Sequence, residues 1–215
     1  MSHQKILPAR WALLRGLWVL ALLLGLWGCS KAPPPLAPLS WDATLLAFGN
    51  SLTFGTGAAP EQSYPAQLAQ LTGRTVINAG VPGELSEQGL ARLPELLAQH
   101  QPDLLILTHG GNDLLRRMEP QAVQANLAAM IEYAHSQGVA VVLLGVPTPA
   151  LLRLRTAPLY HDLARQFAIP LEDGALAYIL SKNALKADPI HPNADGYQIL
   201  AARIHRLLQD AGALD

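Results

Sequence analysis

The chain is poor in charge and poorer still in cysteine. Only 14% of its 215 residues are Asp, Glu, Lys or Arg, and the formal net charge is −1. No run of Lys or Arg gathers positive charge locally, so the electrostatic footprint of a phosphate-backbone binder is missing and nucleic acid is not expected as a partner. A single cysteine, Cys29, allows no internal disulfide. No Gly-x-Gly-x-x-Gly and no Gly-Lys-Ser/Thr follows an apolar run, which argues against a nucleotide cradle, and no cofactor is expected. His100, His135, His161 and His205 stand in polar or helix-surface contexts without Cys or clustered acid at ligand spacing, so no metal site is expected. Internal repeats and blocks of like charge are also missing. What remains is a chain half of whose residues are apolar, which suffices for one globular domain with a sizeable core.

The apolar residues are unevenly spread. Lys5, Arg10 and Arg15 occur without any acid in residues 1–28, and an apolar run of 12 residues from Leu17 to Gly28 follows them. A spanning helix needs about 20 apolar residues, so this run reads as an export signal. Leu26-Trp27-Gly28-Cys29 resembles the lipobox at which bacterial lipoproteins are cleaved and lipidated, with Trp27 bulkier than the residue usual there. The expectation is a signal peptide over 1–28, a lipid anchor on Cys29 and a Pro-rich tether over 29–41 ahead of a domain over 42–215. Pro33, Pro34, Pro35 and Pro38 favour extended polyproline backbone in the tether. All 16 acidic but only 12 of the 15 basic side chains lie beyond Gly28, so the mature body carries −4. Ser30 after the cysteine, where an aspartate would retain such a protein in the inner membrane, implies an envelope lipoprotein facing the periplasm from the outer membrane. A monomer is expected.

Beyond residue 44, short apolar runs alternate with segments of helical period, the pattern of βαβ units and a mostly parallel sheet. Strands are expected at 44–48, 75–78, 103–108 and 139–145, and helices at 64–71, 86–99 and 121–137. In the last of these, Val123, Leu127, Met130, Ile131 and Ala134 share one face. Tyr197, Leu200, Ala201, Ile204 and Leu208 form a similar stripe near the C-terminus, with Asn193 as N-cap. The fold class is α/β, a three-layer α/β/α sandwich with a mostly parallel sheet.

Ligands of such sheets bind beyond the carboxyl ends of the strands, so the loops there carry the chemistry. Gly49-Asn50-Ser51-Leu52-Thr53 puts a serine at the start of a helical segment. Val81-Pro82-Gly83-Glu84 and His109-Gly110-Gly111-Asn112-Asp113 offer backbone N–H groups bared by glycine, the second beside the Asn112 amide. In Asp188-Pro189-Ile190-His191, a carboxylate three residues before a histidine can fix its tautomer. Each loop alone also reads as ordinary turn or capping chemistry; His109 reads as a packed strand-end residue or as part of the pocket wall. Together they supply a nucleophilic hydroxyl, an acid-oriented histidine and oxyanion donors, the parts of an acyl-transfer site.

The four blocks in this order resemble the SGNH, or GDSL-type, hydrolase superfamily over nearly all of residues 44–208. The resemblance implies a flavodoxin-like fold and a serine esterase or thioesterase acting on small acyl or aryl esters. It implies Ser51 as nucleophile, Asp188 and His191 as acid and base, and Ser51, Gly83 and Asn112 as the oxyanion hole. Ser86-Glu87-Gln88-Gly89-Leu90 and Gly111-Asn112-Asp113-Leu114-Leu115-Arg116 look nearest to the bacterial periplasmic thioesterase, lysophospholipase and arylesterase group. The first block departs from the family's Gly-Asp-Ser-Leu by carrying Asn50; local hydrogen bonding is expected to change and catalysis to survive. The Gly-x-Ser-x-Gly signature of other serine hydrolases is missing. A carbohydrate O-acetylesterase on the same machinery and a non-catalytic envelope lipoprotein are the alternative readings.

Overall fold

Five strands form one sheet in the order β2-β1-β3-β4-β7, every neighbouring pair parallel. They are β1 (Thr44–Gly49), β2 (Thr75–Gly80), β3 (Leu104–Thr108), β4 (Ala140–Leu144) and the two-residue β7 (Leu171–Glu172). The structure is a computed structural model that describes residues 32–150 and 153–215. The leader and Cys29 lie outside the described residues, as do Leu151 and Leu152. Among the described residues no helix is long and apolar enough to cross a membrane.

The sequences of the strands follow from their places in the sheet. Central β3, Leu-Leu-Ile-Leu-Thr, is buried at all its positions, and β1 is buried from Leu45 onward. Covered by helices on both faces, these strands need a continuous apolar run. Edge strand β2 mixes Thr75, Val76, Ile77 and Asn78 and stays half-exposed.

The chain leaves β1 in one direction for β2, then moves in the other through β3, β4 and β7. Right-handed crossovers therefore set α2 (Tyr64–Thr72) on one face, and α3 (Ser86–His100), α5 (Pro120–Ser136) and α6 (Pro158–Phe167) on the other. The final α8 (Ala194–Asp210) packs against α2 and completes the third layer. Asn193 caps α8, its side chain accepting from the Gly196 N–H at 3.0 Å. Tyr197, Leu200, Ala201, Ile204 and Leu208 are all buried, as are the five apolar positions expected on α5. Each such Leu or Ile contributes about 1.5–3 kcal/mol through burial.

Several elements were not expected. Between β4 and α6 an antiparallel hairpin, β5 (Pro147–Ala150) and β6 (Arg153–Thr156), stands apart from the main sheet. A two-stranded ribbon consists of edges only, and there Pro147 and Pro149 are tolerated without a backbone donor. Helix α6 starts on Pro158 at its first turn and buries Leu159, Tyr160 and Leu163. Short α1 (Ser51–Phe54), α4 (Gly111–Leu115) and α7 (Ala175–Leu180) complete the set of α-helices among the described residues.

The stretch expected as a tether is attached to the body earlier than its composition suggests. The compact unit spans Pro33–Asp215. The Leu36 N–H donates to the Ala211 carbonyl at 2.8 Å and the Leu39 N–H to that of Ala213 at 2.9 Å. The Arg74 guanidinium grips the carbonyls of Leu39 and Ser40, and both leucines pack on the core.

Candidate active site

The direction of the chain reverses between β1 and β3, so a crevice opens at their carboxyl ends. Gly49 allows it to be narrow: a Cβ there would collide with the Thr108 carbonyl oxygen and with Thr53 Oγ1. Asn50 follows, buried, and its Oδ1 accepts from the Leu52 N–H at 3.1 Å, so helix α1 begins on Ser51. This helix has four residues and ends at Gly55. Its field at Ser51 comes from local N–H groups and not from a long macrodipole.

The Ser51 Oγ meets His191 Nε2 at 2.9 Å, and His191 Nδ1 meets Asp188 Oδ2 at 2.7 Å. Asp188 Oδ1 also accepts from the backbone N–H groups of Ile190 and His191, at 2.8 and 2.9 Å. Desolvation works against the ionised form of Asp188, but the His191 ring and those two amides hold its carboxyl below the ordinary aspartate value. An ionised Asp188 accepts the Nδ1 proton, which leaves Nε2 free to accept from the serine hydroxyl. The loop is fixed by Ala187 N–H to the His191 carbonyl and Asn193 N–H to the Leu185 carbonyl, each 3.0 Å.

On the opposite side Asn112, on α4, donates from Nδ2 to the Glu84 carbonyl at 2.9 Å. An amide has two N–H donors, so one is left for the cavity that Asn112 lines together with Ser51 and His191. Gly83 does not line that cavity. It holds the third place of a turn in which the Glu84 N–H donates to the Val81 carbonyl at 3.2 Å, with Pro82 second and Gly83 at φ 79°. This is the type II geometry, which demands a positive φ where Gly83 stands. Asn112 ties the turn to the site through Glu84. Ser51, Asn112 and His191 are thus brought together, Asp188 stands behind His191, and Gly83 is connected one residue removed.

Apart from Thr148, most of the remaining wall is apolar: Leu114 and Leu115 from α4, then Val146, Pro147 and Pro149 before and within β5, with Leu180 and Ile190. His109 is fully buried, its ring tilted against that of Phe48, and forms no part of this wall. Among the described residues no group of three His, Cys, Asp or Glu side chains is placed to hold a metal ion.

Two buried polar clusters behind the oxyanion side escaped sequence reasoning. In one, Arg92 Nε and Nη2 donate to the two Glu84 oxygens at 2.8 and 2.7 Å, while His109 Nε2 meets Glu84 Oε2 at 3.0 Å. Burial pushes Glu84 up, but His109 and Arg92 outweigh it and bring the carboxyl down to about 2. His109 Nδ1 is buried and has no partner among the described residues. In the other cluster Asp113 accepts from the Ser86 hydroxyl at 2.6 Å and from its N–H, and Asn126 donates to the Ser86 Oγ at 2.9 Å. The only sequence signals were Glu84 adjoining Gly83 and Asp113 adjoining Asn112, acids set beside glycine-rich turns.

Comparison with known proteins gives a consistent result. Residues 47–199 match the GDSL-like Lipase/Acylhydrolase family. The chain is 33% identical over 173 residues to "Thioesterase 1/protease 1/lysophospholipase L1" of Escherichia coli strain K12, covering 77% of this chain and 83% of that protein. It is 32% identical over 167 residues to an arylesterase of Vibrio mimicus, covering 73% and 84%. The crystal structure of TesA superposes with a TM-score of 0.70 at 31% identity, over 78% of this chain and 99% of that one.

Proposed function

The chain belongs to the GDSL-like lipase/acylhydrolase family and is a serine esterase or thioesterase, and from that premise we propose that Ser51, His191 and Asp188 carry its reaction. The Ser51 Oγ attacks the carbonyl carbon of the ester while His191 Nε2 takes its proton. As the bond to the leaving oxygen or sulfur breaks, the same proton passes from His191 to that atom, and an acyl group is left on Ser51. Water, deprotonated by His191, then attacks the acyl-enzyme; the acid leaves and Ser51 regains its proton. Asp188 holds the imidazole in the productive tautomer. The Ser51 N–H and the free Asn112 donor stabilise the oxyanion, and the Gly83 turn, which Asn112 ties to the site through Glu84, is proposed to bring up a third N–H.

One observation carries this reading: a serine hydroxyl in line with an acid-backed histidine, 2.9 Å from its Nε2 and open to an apolar cavity. The apolar wall supports acyl or aryl esters over sugar acetates, since each methylene buried contributes about 0.8 kcal/mol. Hydrolysis of p-nitrophenyl esters from acetyl to octanoyl, by wild type and by Ser51→Ala at matched thermal stability, tests both points. Turnover is expected to rise with acyl length and to vanish in the variant. A flat chain-length profile would remove the acyl wall, and full turnover by Ser51→Ala would remove the nucleophile.

We further propose that the chain is exported and anchored by lipid on Cys29, facing the periplasm from the outer membrane, and that it acts as a monomer. The basic start, the apolar run and the lone cysteine support the anchor, and a site assembled from one chain supports the monomer. Cys29→Ala should release the protein from the membrane fraction.

A further inference from the structure

The nucleophile and the base come from opposite ends of the chain, and little ties them together. Among the described residues two hydrogen bonds join residues 49–62 to residues 183–198: the Ser51–His191 bond itself, and one from the Tyr197 hydroxyl to the Thr56 carbonyl at 2.8 Å. Tyr197 belongs to the buried stripe of α8, and its own N–H donates to the Asn193 carbonyl at 2.9 Å. Burial, with Tyr64 and Asp188 adding, pushes the phenol above the ordinary tyrosine value, so the hydroxyl remains a donor.

Thr56 is coupled to both reacting side chains. Its N–H and that of Gly55 donate to the Ser51 carbonyl, each at 3.0 Å, so the turn that Tyr197 grips is the turn that carries the nucleophile. Gly57 follows at φ 100° and is pressed against the histidine loop: a Cβ there would lie 2.5 Å from the Pro192 carbonyl oxygen, 2.8 Å from the Ala187 Cβ and 3.5 Å from the His191 Cβ. A shift of Thr56 therefore changes the spacing between Ser51 and His191. In the resting enzyme the Ser51–His191 bond resists that shift. Once an acyl group occupies the Ser51 Oγ, the hydroxyl proton has left with the alcohol or thiol and that bond is gone, while His191 must still take a proton from the water that attacks the acyl carbon. Of the two bonds, the one between Tyr197 and Thr56 then remains.

Resting on the serine-esterase reading, we propose that Tyr197 is a positioning residue for deacylation: through the Thr56 carbonyl its hydroxyl keeps His191 in register with Ser51 while the serine is acylated. Acylation, in which the Ser51–His191 bond itself sets the geometry, depends on Tyr197 less. A misplacement of about 1 Å costs about 10²-fold in rate, so a partial loss of register is enough to make deacylation the slow step.

The test compares wild type with Tyr197→Phe, each as the full folded protein, on p-nitrophenyl octanoate. The variant is expected to lower kcat about 5–20-fold and KM with it, keeping kcat/KM within about 2-fold, as slowed hydrolysis of an acyl-enzyme requires. Stopped flow should show a burst of p-nitrophenolate approaching one equivalent per Ser51, and intact masses of acid-quenched steady-state samples should show a larger acylated fraction than in wild type. Loss of folded protein lowers kcat and kcat/KM alike and leaves KM in place, so it cannot imitate this split. Tyr160→Phe, which removes another buried hydroxyl donating to a backbone carbonyl, that of His109 at 2.6 Å, should accumulate no additional acyl-enzyme. The proposal is overturned if the acylated fraction and kcat of Tyr197→Phe match wild type, if kcat/KM falls as far as kcat, or if Tyr160→Phe accumulates acyl-enzyme equally. Failure of wild type to turn over the ester would instead overturn the esterase reading itself.

Discussion

The two sides of the crevice are built on opposite plans. The His191 side is open and local: Asp188 and His191 lie three residues apart, the Asp188 side chain is 44% exposed, and backbone amides of the same loop hold it. The Asn112 side is closed and long-range. Glu84 is joined there to Arg92 and His109, and Asp113 to Ser86, through bonds that cross between helix and strand ends. An open carboxylate keeps its charge at little cost, because water solvates it as well. A buried one persists only when its partners are complete. One side is thus able to move protons with little consequence for the fold, while the other holds oxyanion donors rigidly by being part of the fold.

The sharpest way to test that contrast is to strike the open side. Ser51→Ala and His191→Ala should each lower kcat by about 10⁴-fold or more, with the double variant costing little beyond either, because the residues act as a unit. Their melting temperatures should stay near wild type. Asn112, the residue through which the closed side faces the cavity, should also register in turnover: Asn112→Ala should lower kcat about 10²–10³-fold with a smaller change in KM, since the charge it serves exists chiefly in the transition state. It should also loosen the Gly83 turn, measurable as faster amide exchange at Val81 to Glu84.

Striking the buried clusters behind Asn112 should reverse the pattern. Asp113→Ala leaves the Ser86 N–H and hydroxyl without their acceptor in the core, and should destabilise the protein by about 3 kcal/mol in chemical denaturation. If Asp113→Ala proves stable but inactive, the division between the two sides fails. The smallest effect expected is in acid. Glu84 has a folded-state value near 2, below its unfolded value, so its contribution is complete above about pH 5 and is lost as pH falls toward 2. Melting curves from pH 5 to pH 2 should therefore fall less steeply for Glu84→Gln than for wild type. Asp188→Asn removes a carboxyl that is also held below its ordinary value, so it too should flatten the slope, by less because solvent screens the exposed group.

The same division governs what the sequence discloses. Strand β1, expected at 44–48, runs Thr44–Gly49, and α5, expected at 121–137, runs Pro120–Ser136. Continuous apolar runs and a 3.6-residue stripe are local signals, so these elements are found within a residue or two. Asp188 and His191 are likewise joined by a short spacing. By contrast, Glu84 meets His109 across 25 residues and Ser86 meets Asp113 across 27, partnerships that exist only after β3 has been set beside β1. Strand β7 is two residues long and offers no period at all, and the β5–β6 hairpin hides behind prolines that ordinarily argue against a strand. Helix α6 carries a legible local signal of its own, Pro158 ahead of Leu159 and Leu163.

The bond between Leu36 and Ala211 fixes the poles of the body. Helix α8 begins beside His191 and ends at Asp210, next to Ala211, and its 17 residues measure about 25 Å, so the attachment of the N-terminal stretch lies at the end of the helix remote from Ser51. From Cys29 to Leu36 there are seven peptide steps, at most about 25 Å when stretched. With the proposed lipid on Cys29, this leash has about the same reach as the helix is long, so the anchor would hold the body by the pole opposite Ser51.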